Sequence, residues 1–184
     1  MTASSSQPVA LPARPAAAIT LEELAWNSPP ETLRAAQQLL LEYGQFVAAQ
    51  PHVGSFCYDA LESEVSGLPG SYLNQQGGAL VARAADGEIG FVAWRSLPPP
   101  ELAAAWELKR LWIRPQARGS GLGKILVQAV IDRAKSAGKS LLLLDTAPHA
   151  MPAAHRLYLD MGFLPCPAYN GPPSQGIVYL RKPL

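Results

Sequence analysis

The sequence predicts a single α/β domain with a central sheet that is mixed and mostly antiparallel, about six or seven strands flanked by about four helices. Three observations predict it. Asp86-Gly87 separates two strand-like runs, and that dipeptide accepts the positive φ of a tight hairpin, so neighbouring strands must pair antiparallel. Leu141 to Leu144 is an unbroken aliphatic run, the pattern of a strand covered on both faces. Between the strands, apolar residues recur at the spacing of amphipathic helices.

Taken in order, residues 1–17 (MTASSSQPVALPARPAA) hold no acidic residue and no apolar centre of a secretory signal, and are expected to form a disordered tail. One domain is then expected over 18–184, with a first strand near Ile19. Ser28-Pro-Pro-Glu31 has a helix-start pattern, with the serine as cap and the glutamate reaching back to it. Leu33, Ala36, Leu40, Tyr43 and Val47 carry that helix to about Ala49, ahead of the breakers Pro51 and Gly54. A shorter helix with Leu61 and Val65 ends at Gly67, and Leu68-Pro-Gly70 reads as a loop.

Ala79–Ala84 and Ile89–Trp94 form the hairpin strands. Trp106–Ile113 follows as an alternating strand, with Leu108, Arg110 and Trp112 expected on one face and Glu107, Lys109, Leu111 and Ile113 on the other. A helix over about Ser120–Ala137 has Leu122, Leu126, Ala129, Val130 and Ala134 as its apolar stripe, and Gly138 stops it. A last helix spans Pro152–Met161 before Gly162, and strands begin at Phe163 and cover Ile177–Leu180. Trp26, Trp94, Trp106 and Trp112 are expected in the core, and Cys57 as a small buried apolar side chain.

Composition narrows the partners. Fifteen Lys and Arg against 14 Asp and Glu leave a net charge of +1, without the basic surplus of a nucleic-acid binder or of a protein held on an acidic membrane surface. No apolar run approaches the ~20 residues of a membrane span. Two cysteines, Cys57 and Cys166, make neither a disulfide framework nor a zinc site, so no metal and a reducing cytoplasm are expected.

The stretch that carries chemistry is Arg114-Pro-Gln-Ala-Arg-Gly-Ser-Gly-Leu-Gly-Lys124, between a strand and a helix. Amides are unpaired at a helix start and the dipole there favours an anion, and glycine lets backbone approach a phosphate closely. A diphosphate is the natural guest. The dinucleotide fingerprint fails because Lys124 stands where its third glycine belongs; the Walker pattern fails at Arg118 and Ile125. What remains is R-x-x-G-x-G, here Arg118, Gly121 and Gly123.

That motif resembles the acetyl-CoA loop of the GCN5-related N-acetyltransferases, the GNAT superfamily. The preceding Glu107-Leu-Lys-Arg-Leu-Trp-Ile113 and the downstream Ala154-His-Arg-Leu-Tyr-Leu-Asp-Met-Gly-Phe163 resemble it too. Leu68-Pro-Gly-Ser-Tyr72 and the segment Pro167 to Tyr179 are similar to one little-characterised bacterial branch. The likeness runs over about residues 20–184, most strongly from 106 to 163.

The resemblance implies a GNAT fold with acetyl-CoA as cosubstrate. Backbone amides of Gly119, Ser120, Gly121, Leu122, Gly123 and Lys124 would hold the pyrophosphate, with Arg118 at the rim. The backbone of Leu111, Trp112 and Ile113, on a bulged and splayed strand, would pair with the pantetheine arm. Tyr158 would protonate the departing thiolate. Glu107 stands where several members keep a glutamate base, the alternative being a structural ion pair. Met151 replaces an Asn that many members use on the pantetheine. His149 and His155 flank the same helix and read as surface or capping residues.

The implied activity is direct acetyl transfer to an amine in a ternary complex; the alternative is an acetyl-CoA-binding sensor without turnover. The acceptor would be a small-molecule or peptide amine, and the protein a monomer or homodimer. Acceptor choice would fall to Gln45–Gly78 and to the closing loop Pro165–Gly176. Asp59, Glu62 and Glu64 could meet the amine there, or lie on a solvated helix face.

Overall fold

The computed structural model describes residues 18–50, 61–98 and 102–184; the expectations for residues 1–17, Pro51, Gly54, Cys57 and Asp59 lie outside them. Seven strands form one sheet: β1 (Thr20–Glu23), β2 (Gly78–Ala84), β3 (Gly87–Ser96), β4 (Ala105–Ile113), β5 (Leu141–Thr146), β6 (Leu164–Cys166) and β7 (Val178–Pro183). Their order is β1-β2-β3-β4-β5-β7-β6. Only β4 and β5 run parallel, as the helix between them requires.

Helices α1 (Pro30–Ala48), α2 (Leu61–Ser66) and α3 (Gly70–Leu73) are joined by α4 (Leu122–Ser136) and α5 (Pro152–Asp160). On one face Leu39, Leu40 and Tyr43 of α1, with Leu61 and Tyr72, bury against Val81, Phe91 and Trp112. On the other, Leu126, Val130 and Ile131 of α4 bury against Leu80, Val92, Leu108 and Leu142. Leu142 and Leu144 of β5 enter this second core while Leu143 packs on Leu97 and Ala105, so the aliphatic run is covered on both sides.

Three local expectations are corrected. Ser28 does not cap α1: Pro29 occupies the cap, and the Ser28 hydroxyl accepts the Ala25 amide at 2.9 Å instead. A residue before proline is pushed to extended backbone, so two prolines delay the helix beyond the reach of that serine. The Leu68-Pro-Gly70 loop runs straight into the short helix α3. Trp26 is 67% exposed, whereas the other three tryptophans are buried.

The third strand departs furthest from its expected alternation. Phe91 pairs with Trp112 and Ala93 with Lys109, so Arg110 and Leu111 together oppose Val92 in a β-bulge. Arg110 takes the strained φ of 58°. The extra residue inverts the phase: Leu108 lies in the α4 core, but Trp112 lies in the α1 core.

A buried ion pair holds the bulge. The Arg110 guanidinium donates two hydrogen bonds of 2.9 Å to the Glu64 carboxylate on α2, and Tyr72 donates to the same carboxylate at 2.7 Å. Glu64 therefore lies on neither a solvated face nor an open acceptor site, and Glu62 beside it is exposed. Burial would raise the Glu64 carboxyl, but the hydrogen bonds and charge of Arg110, with Tyr72, outweigh it and hold it below the usual carboxylate range.

Because the folded value lies below the unfolded one, this contribution is complete above about pH 4.3 and fades as pH falls through the folded value. Urea unfolding midpoints should thus stay level from about pH 5 to 8 and decline in more acid buffer, and Glu64→Gln should blunt the decline. An unchanged acid profile in that variant would exclude Glu64 as a source of it.

Candidate active site

The parallel pair opens where chemistry can enter. β4 and β5 pair only at Ala105↔Leu141, Trp106↔Leu142 and Glu107↔Leu143. Beyond Glu107 the strands part, so the stretch through Leu111, Trp112 and Ile113 keeps β3 as its neighbour on one side and faces the gap on the other. The bulge at Arg110 turns β4 away from β5.

A cleft of about 470 Å³ occupies this opening. Leu111, Trp112 and Ile113 form one wall; Met151, Ala154 and Leu157 at the start of α5 form another, and Tyr43 and Phe46 of α1 close it. Neither aromatic on α1 was expected there; their helical stripe signals burial, not a cleft. Met151, at the position of the family's Asn, contributes an apolar wall and no side-chain hydrogen bond to the arm of a ligand.

The glycine loop lies at the cleft's far end. Gly119 and Gly121 have φ of 77° and 84°, and a Cβ on either would meet no atom within 4 Å. Both positions are therefore reserved by backbone conformation, and they leave open space over the start of α4. Gly121 caps α4 in the left-handed region with no side-chain cap and no acidic residue in the first turn. The amides of Leu122, Gly123 and Lys124 have no acceptor within the helix. Gly123 serves packing: a Cβ there would come within 2.9 Å of Leu157.

Side chains brace this loop from behind. The Ser120 hydroxyl donates to the Ala117 carbonyl at 2.7 Å, so Ser120 offers the loop only its amide. Leu122 is buried as an anchor. Arg118 donates to the Ile113 carbonyl at 3.1 Å and stacks 4.9 Å over the Trp112 ring. Among the described residues neither its charge nor that of exposed Lys124 is paired with an acid. Uncapped amides, left-handed glycines and two cations suit a diphosphate, and the cleft leading from them suits an extended thiol arm.

Tyr158 of α5 is 5% exposed, with its ring against Phe163 at 5.6 Å. Among the described residues nothing hydrogen-bonds its hydroxyl. Burial, and then the nearby Tyr43 and Asp145, push the phenol well above its ordinary value and keep it protonated. Glu107 stands at the last strand pair before the fork and is 1% exposed. It accepts from Arg95 at 2.7 Å, Tyr169 at 3.0 Å and Asn170 at 3.4 Å, with Lys109 at 3.8 Å.

His149 is exposed and His155 half-buried, both away from the cleft lining. Asp145, Tyr169 and Asn170 were not singled out in the sequence. The one available signal was an acid, Asp145, closing an otherwise aliphatic strand. Among the described residues no group of three or more His, Cys, Asp or Glu could hold a metal ion, and no helix is long and apolar enough to cross a membrane.

Similarity to known proteins agrees with this architecture. A profile described as "Acetyltransferase (GNAT) family" matches residues 56–163, more than half of the chain. An uncharacterized N-acetyltransferase of Schizosaccharomyces pombe is 31% identical over 153 residues, spanning 83% of this chain and 88% of that protein. N-acetyltransferase 8F1 of Rattus norvegicus is 34% identical over 122 residues, which is 65% of this chain and 53% of that one, so the chain spans about half of this relative.

An acetyltransferase from Salmonella typhimurium, solved with its cofactor acetyl-CoA, shares the fold at a TM-score of 0.66 and 14% identity, covering 90% of this chain and 94% of that chain. The likeness thus extends to fungal and mammalian proteins and is not confined to a bacterial branch. Matched over most of its length by that profile and by the yeast relative, the chain belongs to the GNAT family of acetyltransferases.

Proposed function

We propose that this acetyltransferase moves the acetyl group of acetyl-CoA directly to an amine within a ternary complex. The observation that carries the reading is one continuous cleft that joins the glycine loop, the splayed backbone of β4 and the start of α5. The amides of Gly119 to Lys124 hold the diphosphate, with Arg118 and Lys124 adding charge. The Leu111–Ile113 backbone aligns the thiol arm as an added strand would, and backbone at the fork orients the acyl carbonyl. Acetyl-CoA, once bound, supplies the activated acyl group.

The Tyr158 side chain is buried, and its hydroxyl, protonated and without a hydrogen-bond partner among the described residues, suits donation to a leaving sulfur. That unpartnered hydroxyl favours turnover over a sensor that merely binds. Glu107, the glutamate at the family's base position, contributes fixed negative charge at the fork, where Tyr169 and Asn170 donate to it. The acceptor, a small-molecule or peptide amine, enters on the face bearing the loop that carries Tyr169 and Asn170.

The test is acetyl-CoA binding by calorimetry, with Gly121→Val as the control. A β-branched residue at φ 84° costs about 1–3 kcal/mol of strain and sets a side chain where the diphosphate belongs. Affinity should fall by about 10²-fold or more with far-UV circular dichroism unchanged. Unaltered affinity in this variant, or no saturable binding by the wild type, would remove the reading.

A further inference from the structure

We propose that Asp145 is the carboxylate that meets the acceptor amine and takes its proton, with Asn170 as its positioning residue. This rests on the acetyl-transfer reading above and assigns the acceptor half of that site. The acceptor is a primary amine arriving as an ammonium ion.

Placement is the first ground. Leu142 and Leu144 turn into the α4 core, so Leu143 and Asp145 share the opposite face of β5. Leu143 is the last β5 residue paired with β4, and Asp145 is the next residue on that face, just past the point where the strands part. It therefore stands at the mouth of the fork, on the side bearing Tyr169 and Asn170.

Charge is the second ground. Two carboxylates occupy this face and they are treated differently. Glu107 is 1% exposed and saturated by Arg95, Lys109, Tyr169 and Asn170. Asp145 is half-buried, and its one side-chain hydrogen bond among the described residues is from the Asn170 amide to Oδ2 at 2.8 Å. Among the described residues no Lys, Arg or His lies within 4.0 Å of it. Partly buried charges are ordinarily paired, so an unpaired one just past the point where β4 and β5 part calls for a cation.

The third ground is the phenols near Asp145. Among the described residues the hydroxyl of Tyr158, whose side chain is 5% exposed, has no hydrogen-bond partner, and the Asp145 charge raises both the Tyr158 and the Tyr169 phenol. Asp145 is joined by hydrogen bond to Asn170, next to Tyr169 on the loop that follows β6.

The steps balance. Asp145 Oδ1 takes one proton from the ammonium, which breaks an N–H bond and frees the nitrogen lone pair. That pair forms the C–N bond to the acyl carbon as the C–S bond breaks, and the sulfur takes the electron pair together with the Tyr158 proton. The second proton shed by the nitrogen restores Tyr158, and the proton on Asp145 passes to water.

The test compares Asp145→Asn, Asn170→Ala and Glu107→Gln with the wild type. Thiol release from acetyl-CoA is followed with L-lysine, tyramine, benzylamine and glycine amide; the fastest acceptor serves, or release to water if none exceeds it. Asp145→Asn should lower kcat/KM about 10²-fold or more, and Asn170→Ala by about tenfold, with acetyl-CoA affinity unchanged within about twofold. Asp145→Asn should also melt no lower than the wild type, because the amide can still accept from Asn170 and leaves no cation unpaired. Glu107→Gln, which strands Arg95, should melt lower. A rate for Asp145→Asn within about threefold of the wild type, or a melting loss matching that of Glu107→Gln, overturns the proposal. Absence of acetyl-CoA binding by the wild type would instead remove the reading it rests on.

Discussion

Replacing Tyr158 by Phe is expected to lower kcat by about 10²- to 10⁴-fold while acetyl-CoA binds almost as before. The substitution removes one oxygen and little else. The ring still packs edge-on against Phe163, and a phenylalanine fills the same buried volume. Since the hydroxyl has no protein partner among the described residues, its loss orphans no donor or acceptor, and the melting temperature should hold or rise slightly. A fall in turnover can then be assigned to the missing proton rather than to a loosened helix. Burial, Tyr43 and Asp145 all push the phenol upward, so wild-type activity should show no alkaline loss from Tyr158 until well above the ordinary tyrosine value near 10. Steady-state thiol release with the fastest panel amine, paired with a thermal melt, checks both halves. Undiminished kcat in the variant would pass the acid role to solvent.

What could be seen in the sequence was what short-range periodicity controls. The hairpin at Asp86-Gly87, the stripe of α4 and its stop at Gly138 follow from local chemistry, and they are where they were expected. The glycine loop was legible for the same reason: Gly119 and Gly121 adopt the left-handed conformation that only local sequence can signal. The bulge was only half legible from residue order. Trp106 to Lys109 alternates, then Lys109-Arg110 and the apolar run Leu111-Trp112-Ile113 break the alternation, but the inversion of phase is fixed only by pairing with β3, where Val92 faces two residues. The resemblance implied such a bulge but not the side-chain consequence, that Leu108 and Trp112 enter opposite cores. Ser28 failed because two prolines outvoted a capping hydroxyl. Glu64 and Asp145 show the deeper limit. Each looks like a surface acid, and only tertiary placement separates them: one meets Arg110 across 46 positions of sequence, and the other meets no cation among the described residues.

Arg110→Met should destabilise the fold by about 3–5 kcal/mol, among the largest losses available outside the aliphatic core. The Glu64 side chain is only 17% exposed, and without the guanidinium its carboxylate keeps the single donor Tyr72. Removing one partner of a buried pair leaves the other charge desolvated, which outweighs the pair's modest net worth. For a domain of this size the loss corresponds to a fall in Tm of roughly 6–20 °C. The double variant Glu64→Gln/Arg110→Met should recover a large part of it, since a neutral amide can still accept from Tyr72 and carries no unpaired charge. The two single effects should therefore be strongly non-additive in urea denaturation. Function should move with stability. Arg110 is the left-handed residue of the bulge, and it ties α2 to the strand whose next three residues wall the cleft. Met at φ 58° keeps the strain and loses the tie, so acetyl-CoA should bind more weakly to the single variant than to the double one. Additive single and double effects, or a melt within about 2 °C of the wild type, would mean that the bulge is held by packing on Tyr43 and not by the ion pair.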